Sequence, residues 1–418
     1  MSHHTFVRLA CVSLISAVGS PALALPPIGE MPSVGADPDL PEIDAAHAGT
    51  VLRSSVIGWP EGMTPKAAEG LAIEAYQREL DNPRWLHVLD NGDVLVAEAE
   101  TSTASSADRI TLLRDTDGDG EADERHTLLE GLSQPFGMLA QDGYLYVANT
   151  DALLRYPFTP GETSIEASPE QLLELPAGGY NNHWTRNLVA SPDGETLYLT
   201  VGSASNNGEY GMETERGRAA IHRLDPDGGN HRIYASGIRN PNGIAFEPQS
   251  GAMWTAVNER DDIGDDLVPD YVTSVEENGF YGWPYFLWGE RVDPQYQAEA
   301  EAIDQPVLTP DFAVGAHAST MSILFPEGDA LPADYREGAF IAQRGSWNRS
   351  ELAGYRVIYL PFTDGRPDGE PRDVLTGFVA DAERAKVHGR PTGLAQLPDG
   401  TLLVADDAGD TIWRVRAQ

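Results

Sequence analysis

One short pattern recurs along the chain, and it limits the possible folds more than any other feature. Each copy is a glycine-containing turn that leads into an alternating strand. The copies are Asp90-Asn-Gly-Asp-Val-Leu-Val-Ala-Glu98, Asp142-Gly-Tyr-Leu-Tyr-Val-Ala-Asn149, Asp193-Gly-Glu-Thr-Leu-Tyr-Leu-Thr200 and Gln249-Ser-Gly-Ala-Met-Trp-Thr-Ala-Val-Asn258. After a long insertion come Tyr335-Arg-Glu-Gly-Ala-Phe-Ile-Ala342 and Asp399-Gly-Thr-Leu-Leu-Val-Ala-Asp406. Glycines 92, 143, 194 and 251 are 51, 51 and 57 residues apart. A period of about 50 residues with several strands per unit is the signature of a β-propeller, because a single small sheet cannot bury both of its faces and units must close radially. The copies predict an all-β fold, a six-bladed β-propeller. Its chemistry is expected on loops at one end of the central channel.

Composition agrees with strands and turns: 42 Gly and 30 Pro in 418 residues are many for a helical protein. Residues 1–24 read as a secretory signal peptide, with Arg8, an apolar run from Leu9 to Val18 and a small-x-small site at Ala22-Leu-Ala24. Cys11, the only cysteine, lies inside it, so the mature chain would offer no disulfide, thiolate ligand or cysteine nucleophile. The expected destination is the periplasm or the medium. Residues 25–60, rich in Pro, Gly and acids, read as a linker or loosely packed arm, and 61–418 as the catalytic propeller domain. Net charge is −37, and Lys66 and Lys386 are the only lysines. Such a surface repels nucleic acid and anionic membrane and suits solubility at high salt. No run is long enough for membrane insertion.

Several loops carry chemistry. Asp115, Asp117, Asp119 and Asp123 alternate around Gly120 and resemble the first half of a calcium loop, although position 126 is His where a twelfth-position Glu would stand. A bare acidic hairpin is the alternative. Asn258-Glu-Arg-Asp-Asp-Ile-Gly-Asp-Asp266 is the densest acidic loop, and Asp261, Asp262, Asp265 and Asp266 either ring a cation or face solvent. Arg239 precedes Asn-Pro and so sits on a stiff turn suited to a carboxylate or carbonyl ligand. His183, between two asparagines and a tryptophan, is a residue type fitted to general-base work near neutral pH. Further arginines lie on Gln343-Arg-Gly-Ser-Trp-Asn-Arg349 and Gly389-Arg-Pro-Thr-Gly393. No G-x-S-x-G elbow and no dinucleotide motif competes.

Taken in order, Leu132-Ser-Gln-Pro-Phe-Gly137, Asn181-Asn-His-Trp-Thr-Arg-Asn187, Gly237-Ile-Arg-Asn-Pro-Asn-Gly243, Asn258 to Asp266, Gly279-Phe-Tyr-Gly-Trp-Pro284, Gly345-Ser-Trp-Asn-Arg349 and His388-Gly-Arg-Pro391 resemble the PQQ-dependent sugar dehydrogenases. The likeness is strongest to the L-sorbosone dehydrogenase branch and more distant to the soluble quinoprotein glucose and aldose dehydrogenases. The resemblance implies six four-stranded antiparallel blades, PQQ and Ca2+ as cofactors, and a small-molecule sugar or sugar aldehyde as substrate. His183 would be the general base acting on the anomeric hydroxyl, with hydride passing to the quinone. Arg239 would face the quinone carbonyl, with Asn240 beside it. Gln134 and Asn182 fall near substrate and cofactor. Asp261 and Asp262 fall where the family binds calcium, and Arg390 with Arg349 where it binds cofactor carboxylates.

Three positions depart from the glucose enzymes. Asn182 replaces an acid before the base. Arg344 or Arg349 must replace a lysine. Asp261-Asp262 replaces Gly-Pro. The electron acceptor is left open between a cytochrome and a quinone. A calcium-dependent propeller lactonase and a non-catalytic sugar- or partner-binding propeller are the competing readings.

Overall fold

The computed structural model describes residues 25–43, 49–101, 103 and 105–418. The signal segment and Cys11 lie outside the described residues. The described chain is all-β apart from short helical turns such as Gln297–Ala300.

Antiparallel sheets follow one another along the sequence. The first holds Pro83–Val88, Val94–Glu98, Arg109–Arg114 and Glu124–Leu129. The second holds Met138–Gln141, Tyr144–Ala148, Ala152–Pro157 and Glu170–Glu174, and the third Leu188–Ala190, Leu197–Val201, Ala220–Leu224 and Arg232–Ser236. The fourth holds Asn240–Phe246, Met253–Asn258, Pro269–Ser274 and Phe312–Ala316, and the fifth Thr320–Leu324, Gly338–Gln343, Arg356–Thr363 and Arg372–Thr376. In the sixth, Pro391–Gln396, Leu402–Asp406 and Thr411–Ala417 are joined by Leu71–Gln77, so strands from opposite ends of the chain share one sheet.

The repeated glycines fall where the pattern predicts. Gly92 and Gly143 sit in the tight turn between the first and second strands of their sheets, with φ of 87° and 80°. A Cβ there would meet nothing, so the backbone conformation alone selects glycine.

A second glycine explains part of the family motifs. Pro135-Phe-Gly137, Pro241-Asn-Gly243 and Pro391-Thr-Gly393 lie at or beside the first strands of their sheets. A Cβ on Gly137 would come within 2.6 Å of Leu188 N, and one on Gly243 within 2.6 Å of Ile323 N. These glycines let the first strands of neighbouring sheets touch. The contacts run from the first sheet through to the sixth, and the sixth packs back on the first.

The cores lie between sheet faces, as expected for sheets that cannot bury both faces alone. Leu95, Leu112, Leu145 and Val147 fill the space between first and second sheets, and Leu153, Leu188, Leu197 and Leu199 that between second and third. Trp254, Val272, Ile341 and Ile358 join fourth to fifth, and Val94, Val96, Leu403 and Ile412 join sixth to first.

The segment read as a loose arm is packed at several points. Ile28 is 1% exposed, Val34–Gly35 pairs with Phe312–Ala316, and Ser55–Val56 lies parallel to Lys386–Val387. Trp59 Nε1 donates to Asp406 Oδ2 at 2.7 Å. Isolated anchors and backbone pairing hold the arm, and neither produces a hydrophobic period. The fourth and fifth sheets are thereby wider than four strands, because Val34–Gly35 and Lys66–Ala67 add to their edges.

Candidate active site

The loop from Gly178 to Asn187 precedes the third sheet, and its polar residues form an internal frame. Arg186 is fully buried, and its Nη1 donates to His183 O at 2.7 Å and Thr185 O at 3.0 Å. Its Nη2 donates to Pro176 O at 2.9 Å. Asn187 Nδ2 reaches Asn242 O at 2.7 Å, and Trp184 Nε1 reaches Thr101 Oγ1 at 3.1 Å. Trp184, Arg186 and Asn187 are thus scaffolding, which fixes the imidazole between the third and fourth sheets.

The network assigns the tautomer of His183. Its Nδ1 lies 2.9 Å from both Ser203 O and Ser203 Oγ, and Ser203 Oγ donates onward to Ser205 O. Both partners therefore accept, so the proton sits on Nδ1 and Nε2 carries the lone pair. Asn182 Nδ2 stands 3.3 Å from Nε2. Burial, reinforced by Arg239, holds the imidazole well below the ordinary histidine range, so it is neutral near pH 7. Gly202 makes this position possible: a Cβ there would lie 2.4 Å from Asn240 Oδ1 and 2.7 Å from His183 Cβ.

His183, Arg239 and Asp261 line one cavity of about 690 Å³, together with Asn182, Asn240, Arg344 and Arg390. Arg239 is 2% exposed, and every N–H is used. Nε donates to Asn206 O at 2.8 Å, and Nη1 to Asn258 O at 3.2 Å and Glu259 O at 2.6 Å. Nη2 donates to Asn206 Oδ1 at 2.8 Å and Asp261 Oδ2 at 3.3 Å. The other oxygen of Asp261 lies 3.2 Å from His317 Nδ1.

The facing wall is arginine-rich. Arg84 Nη1 and Arg344 Nε contact the same oxygen of buried Asp407, at 2.5 and 2.6 Å. Arg390 donates to the carbonyls of Arg344 and Gly345 at 3.2 and 2.9 Å. Burial, then the Arg344 charge, pushes Arg84 and Arg390 down to about 10. Burial would raise Asp407, but the three guanidiniums outweigh it and hold the carboxylate ionised.

Several expected residues stand elsewhere. Gln134 does not line the cavity; its amide donates to Glu100 O at 2.8 Å. Arg349 also stands outside, donating to Asp265 O and lying 3.2 Å from Asp266 Oδ1. Asp265 caps Ser350 N at 3.0 Å, and Asp262 pairs with Asn348 at 2.9 Å. The acids of the 258–266 loop therefore do not form a ring, because each turns to a different partner.

Among the described residues, the group of ligand-type side chains that does converge is Asp115, Asp117 and Asp119, within 4.8 Å of one another. Asp123 turns away and accepts from Thr116 N at 3.0 Å. This loop does not line the cavity.

Sequence reasoning missed Arg84, Arg53, Glu259 and Asp270, all of which line the cavity. Arg53 comes from the arm and stands 5.1 Å over the Trp347 ring. Burial outweighs nearby Arg239 and raises Glu259 to about 8, and burial raises Asp270 to about 6. Glu259 lies inside the quoted acidic loop, next to the strand end, and that position was the signal available.

The chain matches the TrAA12-like family over residues 65–278 and 288–418. The chain belongs to the TrAA12-like family. The family relationship read from the sequence is borne out, and with it an enzyme of the oxidoreductase class. A protein of Borreliella burgdorferi is similar to this TrAA12-like chain, at 24% identity across 84% of the chain and 90% of that protein. Aldose sugar dehydrogenase YliI of Escherichia coli is 28% identical over 154 residues, 32% of this chain and 39% of that protein. Among solved structures, the holo form of the pyranose dehydrogenase PQQ domain from Coprinopsis cinerea superposes with a TM-score of 0.70 at 18% identity, over 87% of this chain and all of that one. The β-propeller fold class is shared at this level.

Proposed function

We propose that the protein is a PQQ- and Ca2+-dependent dehydrogenase that oxidises an aldose or a related sugar aldehyde, sorbosone-like substrates included. The observation that carries this reading is a neutral buried imidazole sharing one cavity with a wall of three guanidiniums. The names of the pyranose and aldose dehydrogenases above support it. The cyclic order of sheets and cores supports a closed six-bladed propeller. The residues present fit the cofactors. Arg84 and Arg344 share a single carboxylate, Arg390 lines the same cavity with no carboxylate bonded to its guanidinium, and the three suit a polyanionic ligand. Asn240 Oδ1 is buried with no partner. Asn258, Glu259, Asp261 and Asp262 bring to the cavity the donor type a hard cation takes, although their side chains do not converge into a ring.

The bound quinone would supply the hydride acceptor, made more electrophilic by the cation. The chain's own residues do the rest. His183 Nε2 takes the proton of the hydroxyl on the sugar's anomeric carbon, as the hydrogen on that carbon leaves with its electron pair and the C–OH becomes C=O. Ser203 keeps Nδ1 protonated and the ring aimed. Arg239 adds a fixed positive charge beside that site. The protein is exported, to the periplasm or the medium, and a cytochrome or a quinone takes the electrons onward.

Reconstitution tests the reading. Apo-protein given PQQ, Ca2+ and an artificial dye is expected to reduce the dye with some member of a panel of aldoses. No reduction with any sugar, or hydrolysis of sugar lactones without PQQ, would overturn it.

A further inference from the structure

Two exposed tyrosines meet at the edge of the cavity, Tyr180 at 45% and Tyr210 at 57%. The Tyr180 and Tyr210 rings lie 4.7 Å apart, tilted by 46°. An aromatic pair left this open on a protein surface is unusual unless it meets a ligand. Tyr180 lines the main cavity and also an adjoining open groove of about 570 Å³. Beside Pro176, Gly178 and Gly179, the groove is lined by the polar side chains of Glu213, Thr214, Arg216 and Arg218. Two arginines and one glutamate carry its charges, and Arg216 pairs with Glu213 at 2.7 Å. Its floor is tied to the catalytic loop, because Arg218 Nη1 donates to Asn181 Oδ1 at 2.6 Å.

We infer that this groove is a subsite for the second and third rings of an oligosaccharide whose reducing end enters the cavity. The inference rests on the sugar-oxidising reading above and adds a substrate class to it. Aromatic faces meet the C–H faces of pyranose rings, and guanidinium, carboxylate and hydroxyl groups meet their equatorial hydroxyls. Groove and cavity adjoin at Tyr180, as a chain reaching from one to the other requires.

Tyr210 lines the groove and not the cavity, so it is the residue to change. Binding of glucose, maltotriose and cellotriose to the apo-protein is measured by calorimetry, and kcat/KM by dye reduction with the reconstituted protein. At least one trisaccharide is expected to bind about tenfold more tightly than glucose, the scale of one aromatic contact. Tyr210→Ala is expected to erase that gain while leaving kcat/KM for glucose unchanged, and Tyr210→Trp to keep it. Equal binding of glucose and both trisaccharides, or a gain that survives Tyr210→Ala, would overturn the subsite. Calorimetry still decides the subsite if no sugar is oxidised, so the two readings fail separately.

Discussion

Arg239 on one side of the cavity and Arg344 on the other both lie beside an aspartate, yet their surroundings differ in kind. Arg239 gives all its N–H groups to protein oxygens, four of them uncharged, and its charge is answered by Asp261. Arg344 uses only Nε toward the protein, on a carboxylate that Arg84 also occupies. One guanidinium is built into the frame; the other belongs to a group with positive charge to spare. The difference teaches that an arginine's number of protein acceptors, more than its burial, separates a structural role from a ligand-facing one.

The sharpest way to break this comparison begins on the histidine side. His183→Ala is expected to lower kcat by about a thousandfold, the scale of a lost general base, with quinone affinity kept. Dye-linked kinetics and a spectral titration with PQQ separate the two. Loss of affinity with intact turnover would move the base elsewhere.

Arg239→Ala next strands four uncharged acceptors and an aspartate. It is expected to cost about 3–5 kcal/mol of stability, read by denaturant unfolding. Arg344→Ala leaves Asp407 with Arg84, so its unfolding curve should move little. Its quinone Kd should rise about 10- to 100-fold, the worth of a charge-assisted contact. If the two substitutions gave the same pattern, the distinction between the walls would be lost. Gly202→Ala would push His183 and Asn240 apart from the position both now take. About a hundredfold loss in kcat/KM is expected, since a shift near 1 Å suffices for that.

How far the sequence anticipated this arrangement depends on whether a residue acts through local order. The turn glycines were legible because a left-handed turn recurs at a fixed period whatever surrounds it. The 181–187 and 237–243 motifs were legible as a constellation, and His183 and Arg239 do share a cavity. What each motif residue does was not legible. Arg186, inside the histidine motif, is a buried clamp, and Arg349, read as a cofactor ligand, is bound to the 265–266 acids. Those outcomes depend on which distant loop arrives opposite. Arg84 escaped notice for the same reason: nothing near it in the chain marks it, and Asp407, its partner, comes from the other end of the sequence. The 258–266 acids misled because a ring of ligands and a fan of separate pairs have the same composition.

The smallest expected effect separates the walls by protons. Asp407 on the arginine side is held ionised, whereas Glu259 on the histidine side is raised by burial to about 8. In the unfolded chain a glutamate titrates near 4.3. Between these values the folded protein holds a proton that the unfolded chain has released. Stability from this group is present below the lower value and is lost as pH rises through the upper one. Buried His183 acts in the opposite sense, because its unfolded imidazole binds a proton below about 6.5 while the folded one does not. Its effect therefore ends near pH 6.5, and from there to about pH 8 the fall due to Glu259 is joined by that of His317, where burial is outweighed by Asp261 and the imidazole is raised. Metal-free protein is expected to lose on the order of 1–2 kcal/mol over that interval. Glu259→Gln should flatten the slope, and so should Ca2+, since a cation bound by this carboxylate removes its proton in the folded state. A slope unchanged by both would detach Glu259 from the cation and leave the histidine wall without its missing charge.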